Sequence, residues 1–518
     1  MSNTKEQERN ELFRIIWKIA EQLRNAVDGW DFKQYILGTL FYRFISENLT
    51  HFINSTEKDI DYKMLSDEQA EYGKKDIIND KGFFIYPSQL FTNVVKKLSN
   101  RQFKEHLNEH LFDIFKSIEA SAIGTESEKK IKGLFDDFDT NSKKIGNTID
   151  ERNKLLEKLL ISINDLNIGH YHDNSIDMFG DAYEYLMGMY ASQAGKSGGE
   201  YFTPQEVSEL LAKICVVDKT SVNKVYDPAC GSGSLLLKFA KILGKKNVSK
   251  GFYGQEINRT TYNLCRINMF LHDINFSNFD IACGDTILQP AHWDDEPFEA
   301  IVSNPPYSHK WDGDANPLLI NDERFAPAGV LAPKSKEDLA FVMHCLSWLA
   351  TNGTAAIVCF PGVLYRGGAE QKIRKYLIDN NFIDCIIQLP QDLFFGTTIA
   401  TCIMVLKKNK KENKVLFIDA TEMFERKDAT NKLTKNNIDQ ILELFTKRKN
   451  VEYKCKLVDF QEIASNDYKL SVSKYVQKLE IKEVIDIKQL NNKIRKVVIK
   501  EDELRKQIEK IINEVFHE

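Results

Sequence analysis

Val222-Asn223-Lys224-Val225-Tyr226-Asp227-Pro228-Ala229-Cys230-Gly231-Ser232-Gly233-Ser234-Leu235-Leu236-Leu237 is the stretch that decides how this chain folds. Val222–Tyr226 reads as a buried strand, Asp227–Gly233 as a turn, and Ser234–Leu243 as a helix. Gly231 and Gly233 let the backbone reverse sharply and approach a ligand closely. A strand feeding such a turn and then a helix is the building unit of a doubly wound α/β domain. In that fold the first β–α turn receives a nucleotide-like ligand. The spacing is not G-x-G-x-x-G, which speaks against a dinucleotide.

Outward from this turn, short apolar runs alternate with helical stretches. Strands are expected at Gly251–Gln255, Phe279–Ala282, Phe298–Val302, Thr354–Phe360, Phe382–Gln388, Thr401–Leu406 and Lys414–Asp419. The alternation predicts an α/β domain with a mostly parallel sheet. The last two runs flank the lysine-rich segment Lys407–Lys414 and read as a hairpin at the sheet edge. That segment reads as a solvated turn, with contact to phosphates as the alternative.

Residues 1 to about 165 read as mainly helical, with apolar residues at three- and four-residue spacing in Glu11–Arg24 and Phe32–Phe52 and a further helix at Arg152–Leu166. Ile118–Gly133 reads as a loop. Asp181–Ala191 predicts a helix running into the flexible turn Gln193–Gly199. Gly195-Lys196-Ser197 within it has the tail of a phosphate loop, but position 190 is Tyr190 where that loop needs glycine, so no ATPase is expected. From about 480 the chain is charged, and Leu504, Ile508, Ile511 and Val515 recur at 4-3-4 spacing. That seam packs either on its own domain or on another chain.

The chain has 518 residues, more than one ordinary core holds, so two or three domains are expected: 1–165, 166–475 and 476–518. Its 42% hydrophobic and 28% charged residues are those of a globular protein. The polar N-terminus predicts no secretion signal, and Leu339–Ala350 is too short to span a bilayer. The nine cysteines include no C-x-x-C pair, so neither metal site nor disulfide framework is expected, and the cytoplasm fits. The net charge of −5 is not the basic footprint of a stand-alone DNA binder. If the chain acts on DNA, its basic residues are focused on one face or a partner supplies much of the grip.

The chemistry resides in two groups of residues. In the first, Asp227, Glu256 and Asp285 each follow a strand. A carboxylate at the glycine turn suits a cationic, phosphate-free ligand such as S-adenosylmethionine, with its amine and sulfonium. Glu256 is placed to accept from ribose hydroxyls and Asp285 from the adenine amine. In the second group, Asn304-Pro305-Pro306-Tyr307 ends the strand Phe298–Val302. The Asn304 amide oxygen and the Pro305 carbonyl can both accept from one exocyclic amine, and the prolines hold the backbone extended. Two acceptors draw that nitrogen towards sp³ character, and Tyr307 supplies a face for a stacked base.

These two groups resemble the γ class of S-adenosylmethionine-dependent amino-methyltransferases. Glu200-Tyr201-Phe202-Thr203-Pro204 resembles that class's preceding motif, in which Thr203 and Pro204 contact the methionine end of the cofactor. The helical N-terminal region, Asp177–Tyr185 and Asn466–Leu470 resemble the modification subunit of type I restriction–modification systems, often called HsdM. The resemblance covers nearly the whole chain. It implies a helical N-terminal domain, a Rossmann-like domain with a seven-stranded mixed sheet, and a C-terminal helical tail that docks on a partner. It implies N6-methylation of a flipped-out adenine in duplex DNA. The implied partners are DNA, a specificity subunit that binds two modification subunits, and a restriction subunit. The implied site comprises Asn304, Pro305, Pro306, Tyr307 and a second aromatic, Phe395 or the adjacent Phe394. Around the cofactor it comprises Glu200–Pro204, Asp227, Ala229, Gly231–Ser234, Glu256, Asp285 and Asn304. Since Asn-Pro-Pro-Tyr serves any planar amine, protein glutamine and RNA are the alternative substrates; the N-terminal helices and Glu200–Pro204 speak against them.

Overall fold

The computed structural model describes residues 13–14, 16–17, 31–57, 59–166, 178–193, 203–394, 398–427, 430–478 and 487–516. Most of the first expected helix, Glu11–Arg24, lies outside them, as do Glu200, Tyr201, Phe202, Phe395 and all of the turn after Gln193. Two compact units are present, Met1–Val476 and Gln477–Glu518.

In the first unit the expected strands form β1 (Val225–Asp227), β2 (Phe252–Glu256), β3 (Phe279–Cys283), β4 (Phe298–Ser303), β5 (Leu349–Cys359), β6 (Ile383–Gln388), β7 (Cys402–Leu406) and β8 (Lys414–Asp419). A small ribbon, β9 (Glu425–Lys427) and β10 (Thr430–Lys432), follows, and then β11 (Cys455–Asp459). The main sheet runs β11-β8-β6-β7-β5-β4-β1-β2-β3. Neighbours from β3 to β5 are parallel, and β7 is antiparallel to both β5 and β6.

Two expectations are corrected here. The sheet has nine strands, not seven. The seven lie intact within it, from β3 to β6, and β8 and β11 extend it beyond β6. Thr401–Leu406 and Lys414–Asp419 are not a hairpin either: β7 slots between β5 and β6, and β8 pairs parallel to β6. All five residues of β7 are buried, as an interior strand requires and an edge strand does not.

Successive side chains along the strands enter opposite cores. Val225, Ala300, Val358, Ile387 and Val405 enter one, which continues into the N-terminal helices. Tyr226, Ile301, Ile357, Ile386 and Met404 enter the other. The N-terminal helices wrap around Asp31–Thr56, a helix longer than the Phe32–Phe52 expected. Tyr35 donates to the Asp139 carbonyl (2.8 Å), and Arg43 to the carbonyls of Ile163 (2.5 Å) and Leu166 (3.0 Å). Ile149–Asn164 opens on a capping box, Thr148 with Glu151. Arg266, on the helix Arg259–Leu271, donates to the carbonyls of Lys129, Lys130 and Lys132. The sheet's helix layer and the N-terminal region are thereby tied together.

The second unit is the helix Ile487–Phe516. Leu504, Ile508 and Ile511 of the expected seam are exposed on it, and the stripe continues N-terminally through Val497, Ile494, Leu490 and Ile487. The side chain of Val515 lies outside those described. Among the described residues, no helix is long and apolar enough to cross a membrane.

Candidate active site

The sheet order places the site. β1 lies between β2 and β4, so the chain leaves β1 to one side and returns on the other. Where connections diverge in this way, a crevice opens beyond the carboxyl ends of the strands. Asp227 ends β1, Glu256 ends β2, Ser303 ends β4, and Asn304–Tyr307 follow directly. The two expected groups thus flank one switch point.

The glycine turn is held from several sides. Gly231 and Gly233 take positive φ, 53° and 80°, and Gly233 caps the helix Ser234–Leu243. A Cβ on Gly233 would lie 2.7 Å from Cys265 Sγ and 2.9 Å from Met269 Cε, so a side chain there must displace them on an already strained backbone. Asn268 Nδ2 donates to the Ser232 carbonyl (2.8 Å), and the Cys230 N–H to that of Gln255 (3.0 Å). The Ser232 and Ser234 hydroxyls are buried and bond each other (3.1 Å).

Each acid is oriented by backbone N–H groups. Asp227 Oδ1 accepts from Ala229 (3.0 Å). Glu256 accepts from Gly231 (3.1 Å) and Asn258 (2.8 Å). Asp285 Oδ1 accepts from Ile287 (2.8 Å) and Leu288 (3.0 Å). Asp227 is 1% exposed, and its Oδ2 has no hydrogen-bond partner among the described residues. Desolvation pushes its pKa up from 3.8 to about 7, outweighing the Ala229 N–H and the nearby Ser303 hydroxyl, which lies outside strict hydrogen-bond geometry. Burial also raises Glu256, against the pull of its N–H donors.

On the other side of the crevice, Asn304 is bound at both ends of its amide. Its Nδ2 donates to Thr203 Oγ1 (3.0 Å), and its Oδ1 accepts from the Tyr307 hydroxyl. Thr203 is 6% exposed. The structure therefore joins Thr203 and Pro204, at the start of the helix Gln205–Cys215, to the Asn304 turn. Burial holds the Tyr307 hydroxyl well above the usual phenol range. Ser308, next along, takes a positive φ of 52° and donates its N–H to Asp338 Oδ2 (3.1 Å). Phe394 is buried and meets the Tyr307 ring edge-on, with centroids 6.5 Å apart.

The arrangement is that of a family with known members. Residues 174–484 match the model described as N-6 DNA Methylase, and residues 12–163 match the HsdM N-terminal domain. The chain belongs to the N-6 DNA methylase family. It is 49% identical to the type I restriction enzyme MpnII methylase subunit of Mycoplasma pneumoniae, across 99% of this chain and 98% of that one. It is 29% identical to the MjaVII methylase subunit of Methanocaldococcus jannaschii, across 98% of this chain and 85% of that one. Its fold matches the crystal structure of a type I restriction–modification methyltransferase subunit from Streptococcus thermophilus. The TM-score is 0.82 at 33% identity, over 90% of this chain and 99% of that one. The activity expected from the sequence, adenine-specific DNA methylation of the type I kind, is the activity of this family.

Sequence reasoning missed several residues that hold this methylase's site. Asn268 binds the glycine turn with its buried amide, while Gln255 accepts from the turn with its backbone carbonyl and spends its buried amide on Gln289 and Ala291. Asp338 fixes the residue after Tyr307. Arg324 packs beside the Asp285 turn. Each is an ordinary polar residue in sequence, and its partners lie far along the chain. A buried polar residue inside an apolar helix, as Asn268 is, was the one signal available.

Proposed function

We propose that this methylase moves the methyl group of S-adenosylmethionine to N6 of an adenine swung out of duplex DNA. In this reading it is the modification subunit of a type I complex, with two copies on one specificity subunit and a restriction subunit joining them. The observation that carries the reading is the junction of Thr203, Asn304 and Tyr307 across the switch point from Asp227. It sets an amide acceptor and an aromatic face beside a buried carboxylate.

The residues present suit the cofactor. The orphaned Asp227 Oδ2 lacks a cationic donor, and the ligand's amine is one. Gly231 and Gly233 leave the backbone bare at two positions of the turn at the carboxyl end of β1, and the Ser232 side chain is turned inward onto Ser234. Thr203 and Pro204 would meet the methionine end, with Glu200–Phe202 ahead of them; Ala229 and Ser232–Ser234 line the turn. Glu256 would take the ribose hydroxyls and Asp285 the adenine amine. Bound there, S-adenosylmethionine supplies an electrophilic methyl group.

The chain's own residues then act on the target amine. Asn304 Oδ1 and the Pro305 carbonyl accept its two hydrogens, and Pro306 keeps the segment extended. Tyr307 offers its face to the base, with Phe395 on the other side. No strong base is required, since the lone pair is exposed by hydrogen bonding. For the base to bind, Tyr307 must share or yield the Asn304 oxygen, which has two lone pairs.

We further assign residues 1–165 to a helical domain, 166–475 to the catalytic domain and 476–518 to a tail that docks on the specificity subunit. The exposed apolar stripe from Ile487 to Ile511 supports that role. A DNA substrate and nine free thiols support a cytoplasmic location.

The test is methyl transfer from labelled cofactor to unmethylated genomic DNA, with and without a co-expressed specificity subunit, reading the modified base by mass spectrometry. N6-methyladenine only with the partner supports the full reading. Label without it makes the enzyme self-sufficient. No labelled DNA in either arm, with cofactor binding verified, overturns the reading in favour of a protein or RNA amine.

A further inference from the structure

Between the Asn304 turn and the helix Asp338–Trp348 lies a long irregular segment to which the reading above gives no task. Arg324 sits in it, with its side chain 1% exposed. A guanidinium has five N–H groups, and burying any one of them unpaired is costly. Here all five are used. Nε and one Nη2 hydrogen go to the Asp322 carboxylate (2.9 and 2.7 Å). The others go to the Thr286 carbonyl (3.1 Å), the Ile287 carbonyl (2.7 Å) and His344 Nδ1 (3.2 Å).

These partners converge on the cofactor side of the crevice. Thr286 and Ile287 directly follow Asp285, in a turn whose N–H groups point back at the Asp285 carboxylate. Arg324 satisfies carbonyls on that turn, so the turn is gripped from both polarities. The Thr286 hydroxyl also donates to the Pro228 carbonyl (2.5 Å), inside the glycine turn. His344 reaches the same place by another route. Its Nδ1 accepts from Arg324, so its Nε2 carries the hydrogen and donates to the Tyr226 hydroxyl (2.9 Å). Tyr226 immediately precedes Asp227. One buried cation thus braces the backbone at two of the three acids.

We infer that Arg324 is a positioning residue for cofactor binding: it fixes the Asp285 turn, and through His344 and Tyr226 the end of β1, in the geometry that receives the adenosine half of the ligand. The inference rests on Asp285 contacting adenosine, as proposed above. Lysine cannot replace it, because an ammonium has three donors and no planar fork. A brace of this kind acts on affinity for the ligand, not on the chemistry at Asn304.

The test uses the full chain and two probes, S-adenosylmethionine and 5′-methylthioadenosine, which keeps the adenosine half without the methionine end. Binding is measured by calorimetry on Arg324→Lys, Asp322→Asn, Asp285→Ala and the Arg324→Lys/Asp285→Ala double variant, with folding checked by circular dichroism. Arg324→Lys should weaken both probes by about tenfold, the scale of lost hydrogen bonds around a charged group. Asp322→Asn keeps Arg324 but loosens its clamp, and should weaken both by about threefold. The double variant should bind worse than Asp285→Ala by clearly less than the tenfold of Arg324→Lys alone, because the part of the brace on the Asp285 turn is shared and only the part reaching the end of β1 is independent. Methyl transfer at saturating cofactor should stay within about twofold of wild type for Arg324→Lys and Asp322→Asn.

If Arg324→Lys fails to fold, Asp322→Asn decides. Wild-type affinity in a folded Arg324→Lys or Asp322→Asn protein, with Asp285→Ala impaired, would overturn the role of Arg324 and leave the cofactor site standing. Losses that multiply in the double variant would overturn it as well. Wild-type affinity in Asp285→Ala would remove the adenosine placement, and this inference with it.

Discussion

The two sides of the crevice are prepared in different ways. On the cofactor side, Asp227, Glu256 and Asp285 are each aimed by backbone N–H groups of their own turns, and Asp227 keeps a free oxygen. On the target side, Asn304 and Tyr307 spend their polar atoms on each other and on Thr203. The first side can receive a ligand without rearranging. The second must exchange a hydrogen bond when a base arrives. Backbone donors are rigid and belong to the fold, whereas the side-chain hydroxyl of Tyr307 can turn away. The contrast separates affinity, set at the ends of β1 to β3, from turnover, set after β4.

The sharpest way to break this contrast is Asn304→Ala. Methyl transfer should fall on the order of a thousandfold, while the dissociation constant for S-adenosylmethionine moves less than about threefold. A matching loss of cofactor affinity, seen by calorimetry, would merge the two sides into one. Glu256→Ala should do the reverse. Cofactor affinity should drop about thirtyfold and turnover at saturating cofactor should hold, since a charged acceptor is lost from the cofactor side alone. Unchanged affinity would take Glu256 out of the site.

Acidity sharpens the contrast further. Burial lifts Asp227 from 3.8 to about 7. With its pKa raised on folding, the empty protein holds a proton that the unfolded chain releases. Its contribution to stability therefore declines as pH rises from about 4 to about 7 and is flat above. A cationic ligand favours the carboxylate, so cofactor affinity should climb up to about tenfold per pH unit below 7 and level off above. Calorimetry across that range should show the climb, and Asp227→Asn should flatten it. The mildest probe is Tyr307→Phe, which keeps the ring and frees the Asn304 oxygen. The KM for DNA should fall by up to about fivefold at constant kcat. A variant as inactive as Asn304→Ala would mean that the hydroxyl belongs to the chemistry.

Much of this was legible in the residues. Asp227–Gly233 is a single local turn, so its strand, glycines and helix could be read together, and the acids at 256 and 285 followed from strand ends. That Thr203 belongs to the site followed from the family resemblance, but its contact with Asn304 was not legible, because the two are brought together only by the sheet. The place of β7 was not legible. An apolar run followed by a lysine-rich turn and a second run is the pattern of a hairpin, and insertion between β5 and β6 leaves no local mark. The full burial of β7 is visible only in the structure, and β11 hid behind a polar stretch. Arg324 was opaque because Asn321-Asp322-Glu323-Arg324-Phe325 reads as solvated surface, while its acceptors at 286, 287 and 344 are set by tertiary structure.

The position of β7 has a consequence for how the protein is made. As the chain leaves the ribosome, β1 to β5 can assemble in the order in which they emerge, each with a neighbour already present. β6 has no such neighbour. The place beside β5 belongs to β7, which has yet to be synthesised, and β8 comes later still. The nascent chain therefore carries β6 as an unpaired apolar strand until residue 406 is free of the exit tunnel. A pause in translation between 388 and 406 prolongs the exposure of that strand, the kind of unpaired apolar edge that aggregates or engages chaperones.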